Sequence, residues 1–206
     1  MPPYDPAIQH RRSIRLKDYD YSQPGAYFIT MCTRGGALIF GDMDGEEVRL
    51  NEVGKMLYSL WADIPSAYPP ADIDVFIVMP NHLHGIIVLP DTTEVRRGEA
   101  GMGTKVPVSE TPSTDEDAMS IDYLVGRVKS LAINRYWDVL RSKGRSSAHV
   151  KLWHRDYYEH VIRNEDELAR IREYITNNPL QWSLDRENPN RKGTNPTEDW
   201  LFGDGE

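Results

Sequence analysis

Two apolar runs separated by only two residues place the strongest constraint on the fold of this chain. Residues 73–79 and 82–89 are rich in Ile, Val and Leu, and only Pro80 and Asn81 lie between them. Such a short connection joins two strands as an antiparallel hairpin, because parallel strands need a crossover of about a dozen or more residues. The sequence therefore predicts an antiparallel sheet that contains this hairpin.

Further strand and helix signals lie on both sides of the hairpin. The predicted strands are residues 26–33 and a short pair formed by 38–40 and 48–50 around Asp44-Gly45. Helices are predicted from Asn51 to Pro65, from Ser120 to Arg141 and from Asn164 to Asn178, and Asn51 and Asn164 can each cap the helix that they begin. Together these elements predict an α+β fold, in which helices cover an antiparallel sheet.

Composition narrows the class of protein. The 206 residues include 24 Lys and Arg against 32 Asp and Glu, so the net charge of −8 excludes a uniformly basic coat for nucleic acid. No apolar run approaches the ~20 residues that cross a bilayer, and we expect a soluble, cytoplasmic protein with no membrane partner. Cys32 is the single cysteine, which excludes an internal disulfide and a zinc site of several thiolates. A metal would have to bind His, carboxylate or amide groups.

Two segments are expected to lie outside the main folded unit. Residues 91–119 combine Gly, Pro, Ser, Thr and acidic side chains without apolar periodicity, which is typical of a solvated, mobile insertion. Residues 184–206 form a C-terminal tail of similar composition, although Trp200, Leu201 and Phe202 could dock on the folded body.

A pair of histidines stands at the start of the second hairpin strand. His82 and His84 are two residues apart, so both imidazoles project from one face of the strand and can converge on one divalent ion. The alternative is that they only make hydrogen bonds at the surface of the sheet. Because apolar residues flank the pair on both sides, the histidines are expected at the mouth of an apolar hairpin.

The third predicted helix carries a tyrosine and an asparagine four residues apart. This spacing places Tyr174 and Asn178 on nearly the same side of the helix. Tyr174 flanks the apolar stripe and could present its hydroxyl to a neighbouring site, while Asn178 offers an amide oxygen to a metal. Alternatively, Tyr174 only packs its ring and Asn178 only ends the helix before Pro179.

Basic and aromatic side chains alternate in the second half of the chain. Residues 123–184 hold more basic than acidic side chains, and residues 153–163 interleave Trp, Tyr, His and Arg. This pattern suits stacking on unpaired bases together with phosphate contacts, although Trp153 and one tyrosine could instead belong to the core. An N-terminal basic arm could grip the same backbone or be merely solvated. The candidate DNA-binding residues are Arg15, Lys17, Arg34, Arg127, Lys129, Trp153, Arg155, Tyr157, Tyr158 and Arg163.

Several blocks occur in an order that resembles a known family. They are residues 15–21 with 25–30, Met79-Pro80-Asn81-His82-Leu83-His84-Gly85, residues 153–163, and Tyr174-Ile175-Thr176-Asn177-Asn178-Pro179. Together they resemble the HUH superfamily (His, hydrophobic residue, His) of single-strand DNA nucleases, and specifically the single-tyrosine, REP-associated tyrosine transposases. The resemblance covers residues 13–183, which we therefore interpret as the catalytic domain.

The resemblance implies a fold, a site and a reaction. It implies a ferredoxin-like sheet with both histidines on a central strand, His82, His84 and Asn178 as ligands of Mg²⁺ or Mn²⁺, and Tyr174 as the catalytic nucleophile. Tyr157 and Tyr158 are the competing nucleophiles. The implied reaction is cleavage of single-stranded DNA near a hairpin through a 5′-phosphotyrosine intermediate, which can rejoin strands without ATP.

Other functions remain open at this level. The implied partner is single-stranded or hairpin DNA, and a homodimer is compatible with the family, as is a monomer. One rival function is a domesticated module that holds a nucleic-acid hairpin without cutting it. Another is a phosphodiesterase in which water attacks, but the second His-x-Ser/Thr or carboxylate-rich set that such enzymes need is not found in the sequence.

Overall fold

The computed structural model describes residues 19–91, 119–148 and 150–202. Arg15 and Lys17 lie outside the described residues, as does the predicted insertion at 91–119 except for its two end residues. The strands are β1 (Gly25–Cys32), β2 (Gly41–Asp44), β3 (Glu47–Leu50), β4 (Asp72–Val78), β5 (His82–Leu89) and β6 (Tyr158–Ile162). The α-helices are α1 (Glu52–Ala62), α2 (Ile64–Ala67), α3 (Ile121–Ser142), α4 (Glu165–Asn177) and α5 (Pro196–Phe202).

Four strands form the main sheet in the order β4-β5-β1-β6, and every neighbouring pair is antiparallel. The hairpin β4-β5 is the one predicted from its two-residue connection. Strand β5 lies between β4 and β1, with Thr30 opposite His84 and Cys32 opposite His82. The prediction of a ferredoxin-like α+β fold, with both histidines on a central strand, is confirmed.

The sheet separates two apolar clusters because successive side chains of a strand point to opposite faces. On one face, Leu83 and Ile87 of β5 join the large core beneath α1 and α3. On the other face, Phe28 and Ile86 join a smaller cluster with side chains of α4 and α5. His84 shares the face of Ile86, so the histidine pair lies beside α4.

Three helices begin with side-chain caps, of which those at Asn51 and Asn164 were predicted. Asn51 Oδ1 accepts hydrogen bonds from the backbone of Val53 and Gly54, the Ser120 side chain accepts one from Tyr123, and Asn164 Oδ1 accepts one from Glu167. Each bond satisfies a backbone N–H that has no partner within the helix itself. No helix of the described residues is both long enough and apolar enough to span a membrane.

Some element boundaries differ from the predictions. The short hairpin begins at Gly41 rather than Leu38, because the backbone of Phe40 is already bonded to Pro80 and Asn51 outside the β2-β3 ladder. The helix from Asn51 ends at Ala62, and Pro65 lies in the first turn of α2, where the missing N–H of proline is not needed. Strand β6 and helix α5 were not predicted.

Candidate active site

The two histidines of β5 are buried side by side. Their ring centroids lie 4.4 Å apart, and neither side chain is exposed to solvent. Nδ1 of His84 lies 2.8 Å from Thr30 Oγ1 on the neighbouring strand, while Nδ1 of His82 lies 2.9 Å from Asn81 Oδ1. Each imidazole is therefore held through Nδ1, and each has Nε2 left for another partner. The structure thus brings both histidines to one point, as their spacing predicts.

A carboxylate from the C-terminal tail completes this group. Asp185 follows a 3-10 turn at Trp182–Leu184 and is fully buried. Oδ2 of Asp185 lies 3.6 Å from Nε2 of His82, and one ligand atom from each of His82, His84 and Asp185 lies within 4.8 Å of the others. These three side chains form a buried group that can hold a metal ion.

Asn178 lies against the same carboxylate. Its Nδ2 donates a 2.8 Å hydrogen bond to Asp185 Oδ2, while its Oδ1 is buried and has no hydrogen-bond partner among the described residues. Asn178 therefore orients Asp185 and offers an oxygen of its own. Its assignment as a metal ligand stays a prediction.

The donor atoms of this site fit a divalent cation. Within the described part of the chain, His82 Nε2 and Asn178 Oδ1 are buried polar atoms without a hydrogen bond. Burying an unpaired polar atom costs free energy, so an atom in such a position is expected to have a partner when the protein functions. Imidazole nitrogen with amide and carboxylate oxygen suits Mn²⁺, and the oxygens suit Mg²⁺. Asp185 adds a negative charge that the neutral His and Asn side chains lack.

Tyr174 of α4 reaches the histidine pair. Its hydroxyl lies 3.2 Å from Nε2 of His84 and donates a longer, 3.4 Å hydrogen bond to Oε1 of Glu198. The side chain is only 3% exposed, and its ring packs edge-on against Phe28. Burial, followed by the nearby charges of Asp185 and Glu198, raises the pKa of Tyr174 above its ordinary value. The hydroxyl is therefore protonated at neutral pH unless a base or cation assists it.

The tail covers this tyrosine. Glu198 and Leu201 of α5 are buried, and the ring of Phe202 lies 6.3 Å from that of Tyr174. Both carboxylate oxygens of Glu198 accept hydrogen bonds from the backbone N–H of Arg186, at 3.0 and 3.1 Å. The 184–206 domain boundary stays a prediction, while residues 185–202 of that tail contribute side chains to the site.

The competing tyrosines have other partners. The hydroxyl of Tyr157 donates to Asp122 of α3 at 2.6 Å, and that of Tyr158 donates to the backbone carbonyl of Leu201. Tyr158 borders the same apolar cluster as Tyr174. Among these three tyrosines, Tyr174 is the one for which the structure gives a hydrogen bond to a histidine of the pair.

One part of the predicted DNA-binding set lies near the site. The N–H of His154 donates to the carbonyl of Cys32, the last residue of β1, and the carbonyl of Leu152 accepts from the N–H of Arg34 just beyond it. Cys32 is paired with His82 on the neighbouring strand. Lys129 Nζ donates to the carbonyls of His154 and Arg155 at 3.0 and 3.1 Å, and the indole N–H of Trp153 donates to the Lys129 carbonyl. The structure thus brings Lys129, Trp153 and Arg155 together at this end of the sheet.

The remaining predicted DNA-binding residues are spread over several elements. Arg34 follows β1, Arg127 lies on α3, where its Nε is 3.5 Å from the Tyr68 hydroxyl, and Arg163 follows β6. All three are exposed, as is Arg155, whereas Trp153, Tyr157 and Tyr158 are half-buried. Contact with DNA stays a prediction for every member of the set.

Sequence reasoning missed two carboxylates of the site. Asp185 and Glu198 come from a segment with loop-like composition, and no local spacing relates either residue to the histidines. A signal did exist for the helix that carries Glu198. Asn195-Pro196 is a typical helix start, and Asn195 Oδ1 accepts a hydrogen bond from the backbone of Thr197.

The chain is similar to several known proteins in sequence or in structure. No family model matches the chain. It is similar to a REP-associated tyrosine transposase bound to a REP hairpin, with 17% identity, a TM-score of 0.49, and coverage of 82% of this chain and 74% of the other. It is also similar to a Deinococcus radiodurans R1 protein assigned provisionally as a transposase, with 17% identity, a TM-score of 0.42 and coverage of 79% and 95%. Because both TM-scores are below 0.5, any functional assignment has to rest on the side chains of the site.

A protein of Haemophilus influenzae gives the stronger match. This uncharacterized protein is 36% identical over 183 residues, which are 89% of this chain and 96% of the relative. An identity of this size over nearly the full length of both proteins reflects common descent. The chain therefore belongs to the same protein family as this Haemophilus influenzae protein.

Proposed function

We propose that this protein is a metal-dependent DNA strand transferase of the HUH single-tyrosine type, which cuts single-stranded DNA near a hairpin. The observation that carries the proposal is the 3.2 Å distance between the Tyr174 hydroxyl and His84 Nε2, beside His82 and Asp185. These residues are distant in sequence and meet at one buried point. A potential nucleophile and a potential metal site in contact suit phosphodiester chemistry better than a purely structural role.

The cation would be held by His82, His84 and Asp185, with Asn178 as a fourth candidate. When bound, it would supply positive charge that polarises the scissile phosphate and offsets charge in the transition state. Thr30 and Asn81 would keep the two imidazoles oriented through their Nδ1 atoms. Asn178 would hold the Asp185 carboxylate through its amide N–H.

Tyr174 would act as the nucleophile. Its oxygen would attack phosphorus in line, leaving a 5′-phosphotyrosine and a free 3′-hydroxyl, so the energy of the broken bond is kept for rejoining. The phenol needs assistance, since its pKa is raised rather than lowered by its surroundings. Tyr174 is also 3% exposed, so DNA can reach it only after some of the surrounding side chains have moved.

The proposed partner is single-stranded DNA with a hairpin. The support comes from the grouping of Lys129, Trp153 and Arg155 at the end of the sheet next to His82, and from the sequence blocks shared with REP-associated transposases. Exposed guanidinium groups suit phosphate contacts, and indole rings suit stacking on unpaired bases.

The test is a denaturing gel with Mn²⁺ and labelled single-stranded hairpins taken from repeats that flank the gene. Wild type should give a slowly migrating covalent protein–DNA band. Tyr174→Phe should abolish this band and retain DNA binding, because only the attacking oxygen is removed. Tyr158→Phe tests the competing nucleophile. Tyr58→Phe on α1 is the control, since its exposed ring packs against Phe76 on the other face of the sheet.

Each alternative has its own result on this gel. A band that persists in Tyr174→Phe and disappears in Tyr158→Phe would move the nucleophile to Tyr158. Binding without any band in wild type would favour the domesticated hairpin-binding module, and cleavage without a band would favour hydrolysis by water.

A further inference from the structure

Glu198 is a buried carboxylate whose hydrogen bonds come from neutral donors. Within the described residues, its hydrogen bonds come from the Arg186 backbone N–H and the Tyr174 hydroxyl. It is 4% exposed. A buried carboxylate whose hydrogen-bond donors are all neutral groups costs free energy, which a purely structural role does not explain. Its position next to the candidate nucleophile therefore indicates a role in the reaction.

We propose that Glu198 is the general base of the strand-transfer reaction, with Oε1 accepting the phenolic proton of Tyr174 as its oxygen attacks phosphorus. This inference rests on the proposed function and adds a residue from the C-terminal tail to it. The 3.4 Å distance from the Tyr174 hydroxyl to Oε1 is within reach of a proton transfer that tightens on substrate binding.

The carboxylate is held in a defined orientation. The single N–H of Arg186 contacts both of its oxygens, at 3.0 and 3.1 Å, and thereby fixes the plane of the group. Helix α5 is anchored at its start by the Asn195 side chain, whose Nδ2 donates to Gln181 Oε1. It is anchored at its end by the carbonyl of Leu201, which accepts the hydroxyl of Tyr158.

His84 is the other group within reach of the Tyr174 hydroxyl, but its geometry suits a different task. Its Nδ1 is bonded to Thr30, so Nε2 is the nitrogen that it offers both to Tyr174 and to the group with His82 and Asp185. Glu198 lies outside that group of three ligands. If Glu198 accepts the proton, the lone pair on Nε2 of His84 therefore stays available for a metal ion.

The charges around Glu198 favour acceptance of a proton. Burial raises the pKa of Glu198 most, and the charge of Asp185 raises it further. The backbone N–H and the charge of Arg186 and the hydroxyl of Tyr174 lower it, and the net result is a pKa of about 7. A base with a pKa near the working pH is the most effective in general base catalysis. Protonation also makes Glu198 neutral while the phosphate is being attacked.

The step balances without an oxidant, a reductant or a further reactant. The phenolic proton moves to Oε1, the Tyr174 oxygen forms a bond to phosphorus, and the bond from phosphorus to the 3′ oxygen breaks with its electron pair on that oxygen. The 3′ oxygen takes a proton from water, and Glu198 returns its proton to solvent. In the rejoining direction, the same carboxylic acid can give its proton back to Tyr174.

The experiment measures the single-turnover rate of adduct formation between pH 5.5 and pH 9. Wild type should show a rate that rises with pH as the Glu198 carboxyl loses its proton and becomes able to accept that of Tyr174. Glu198→Gln keeps the size of the side chain and should lower the rate at pH 7.5 by roughly 10²–10⁴-fold and remove that rise. Asp199→Asn is the matched control on the same helix, where the exposed side chain should leave rate and profile unchanged.

A second variant separates proton transfer from mere positioning. In Glu198→Gln, replacing Tyr174 with 3,5-difluorotyrosine supplies a more acidic phenol, which ionises with less help. The rate should recover at least tenfold relative to Glu198→Gln alone. A misplaced or misfolded site would not recover in this way, and thermal unfolding of each variant checks that the fold persists.

Three results would contradict the role of Glu198 as the general base. Adduct formation by Glu198→Gln at or above the wild-type rate would overturn the inference and leave α5 as a cover over the tyrosine. A slow Glu198→Gln that difluorotyrosine does not rescue would also overturn it and assign Glu198 to structure. Absence of any adduct in wild type would instead contradict the proposed function, and the inference would fall with it.

Discussion

Gly85 lies between the histidine pair and Ile86 on β5, and its missing side chain lets an aromatic ring close over the strand. A Cβ at this position would come within 2.7 Å of Trp61 Cζ2 and 2.9 Å of Phe76 Cβ. Trp61 is fully buried, so it has no free space to move into. The close packing on this face fixes the distance between β5 and the Trp61 ring. It thereby also fixes the position of His84 on the opposite face of the strand.

At the same scale, Gly85→Ala is expected to destabilise the protein. The added methyl group overpacks a filled core, which typically costs about 1–3 kcal/mol of unfolding free energy. Urea denaturation followed by fluorescence measures the change. Gly126→Ala on α3 is the control, because nothing lies within 4 Å of its Cβ and alanine should stabilise the helix by about 0.5–1 kcal/mol. Equal stability of wild type and Gly85→Ala would contradict the packing argument.

Helix α4 carries Tyr174 and ends just before Asn178, and an ion pair of Arg172 helps to tie it to the sheet. Arg172 Nε lies 3.0 Å from Oδ2 and 3.2 Å from Oδ1 of Asp74 on β4. The hydrogen bonds from Arg172 hold the pKa of Asp74 below its usual value, although burial acts in the opposite direction. Arg172 lies two residues before Tyr174, and its contact with Asp74 restrains the helix on the edge strand.

Replacing Asp74 with Asn should weaken this contact in a pH-dependent way. A carboxylate with a lowered folded-state pKa stabilises the fold above its unfolded-state pKa of about 3.9, and the stabilisation is lost as the pH falls through the lower folded-state value. Asp74→Asn should therefore cost about 0.5–1 kcal/mol at pH 7, and this cost should fall toward zero as the pH drops through the lowered folded-state pKa of Asp74. Asp138→Asn, in an exposed pair with Arg141, should cost little at either pH. A penalty for Asp74→Asn that stays constant from pH 7 to pH 3 would argue against the ion pair as its source.

The candidate metal site joins distant parts of the whole molecule, namely the central strand β5 and the C-terminal tail. A ligand that binds only the folded state raises the free energy of unfolding of the whole protein. His82 and Asp185 belong to separate segments that come together only in the folded chain. Metal binding is therefore expected to stabilise the molecule globally.

Thermal unfolding with and without Mn²⁺ measures this effect. At a concentration of about 100 times the dissociation constant, the metal should add roughly 2.7 kcal/mol to the unfolding free energy of wild type. His82→Ala should lose most of the added stability, whatever its own stability without metal. His154→Ala is the control, since its Nδ1 accepts only a 3.3 Å hydrogen bond from the nearby Asp156 backbone. The metal site would be refuted by an equal stabilisation of His82→Ala and wild type.

Much of the fold could be predicted because its signals are local. The two-residue connection at Pro80 and Asn81 required an antiparallel hairpin, and the side chains of Asn51 and Asn164 marked helix starts within a few residues of themselves. The alternation of a strand likewise placed His82 and His84 on one face before any tertiary contact was known. Strand β6 was missed because its five residues lie within a stretch whose basic and aromatic side chains suggested a binding surface.

The sequence by itself determined the β4-β5 hairpin and the three longest helices, the shared face of His82 and His84, and the helical placement of Tyr174 near Asn178. Only the tertiary structure decided which of the candidate tyrosines approaches the histidines, and that Asp185 and Glu198 belong to the site. The physical reason is the range of each interaction. Backbone periodicity and capping act over about four residues, whereas Tyr174 and His84 are 90 positions apart and meet only because α4 packs on the sheet face that carries the histidines.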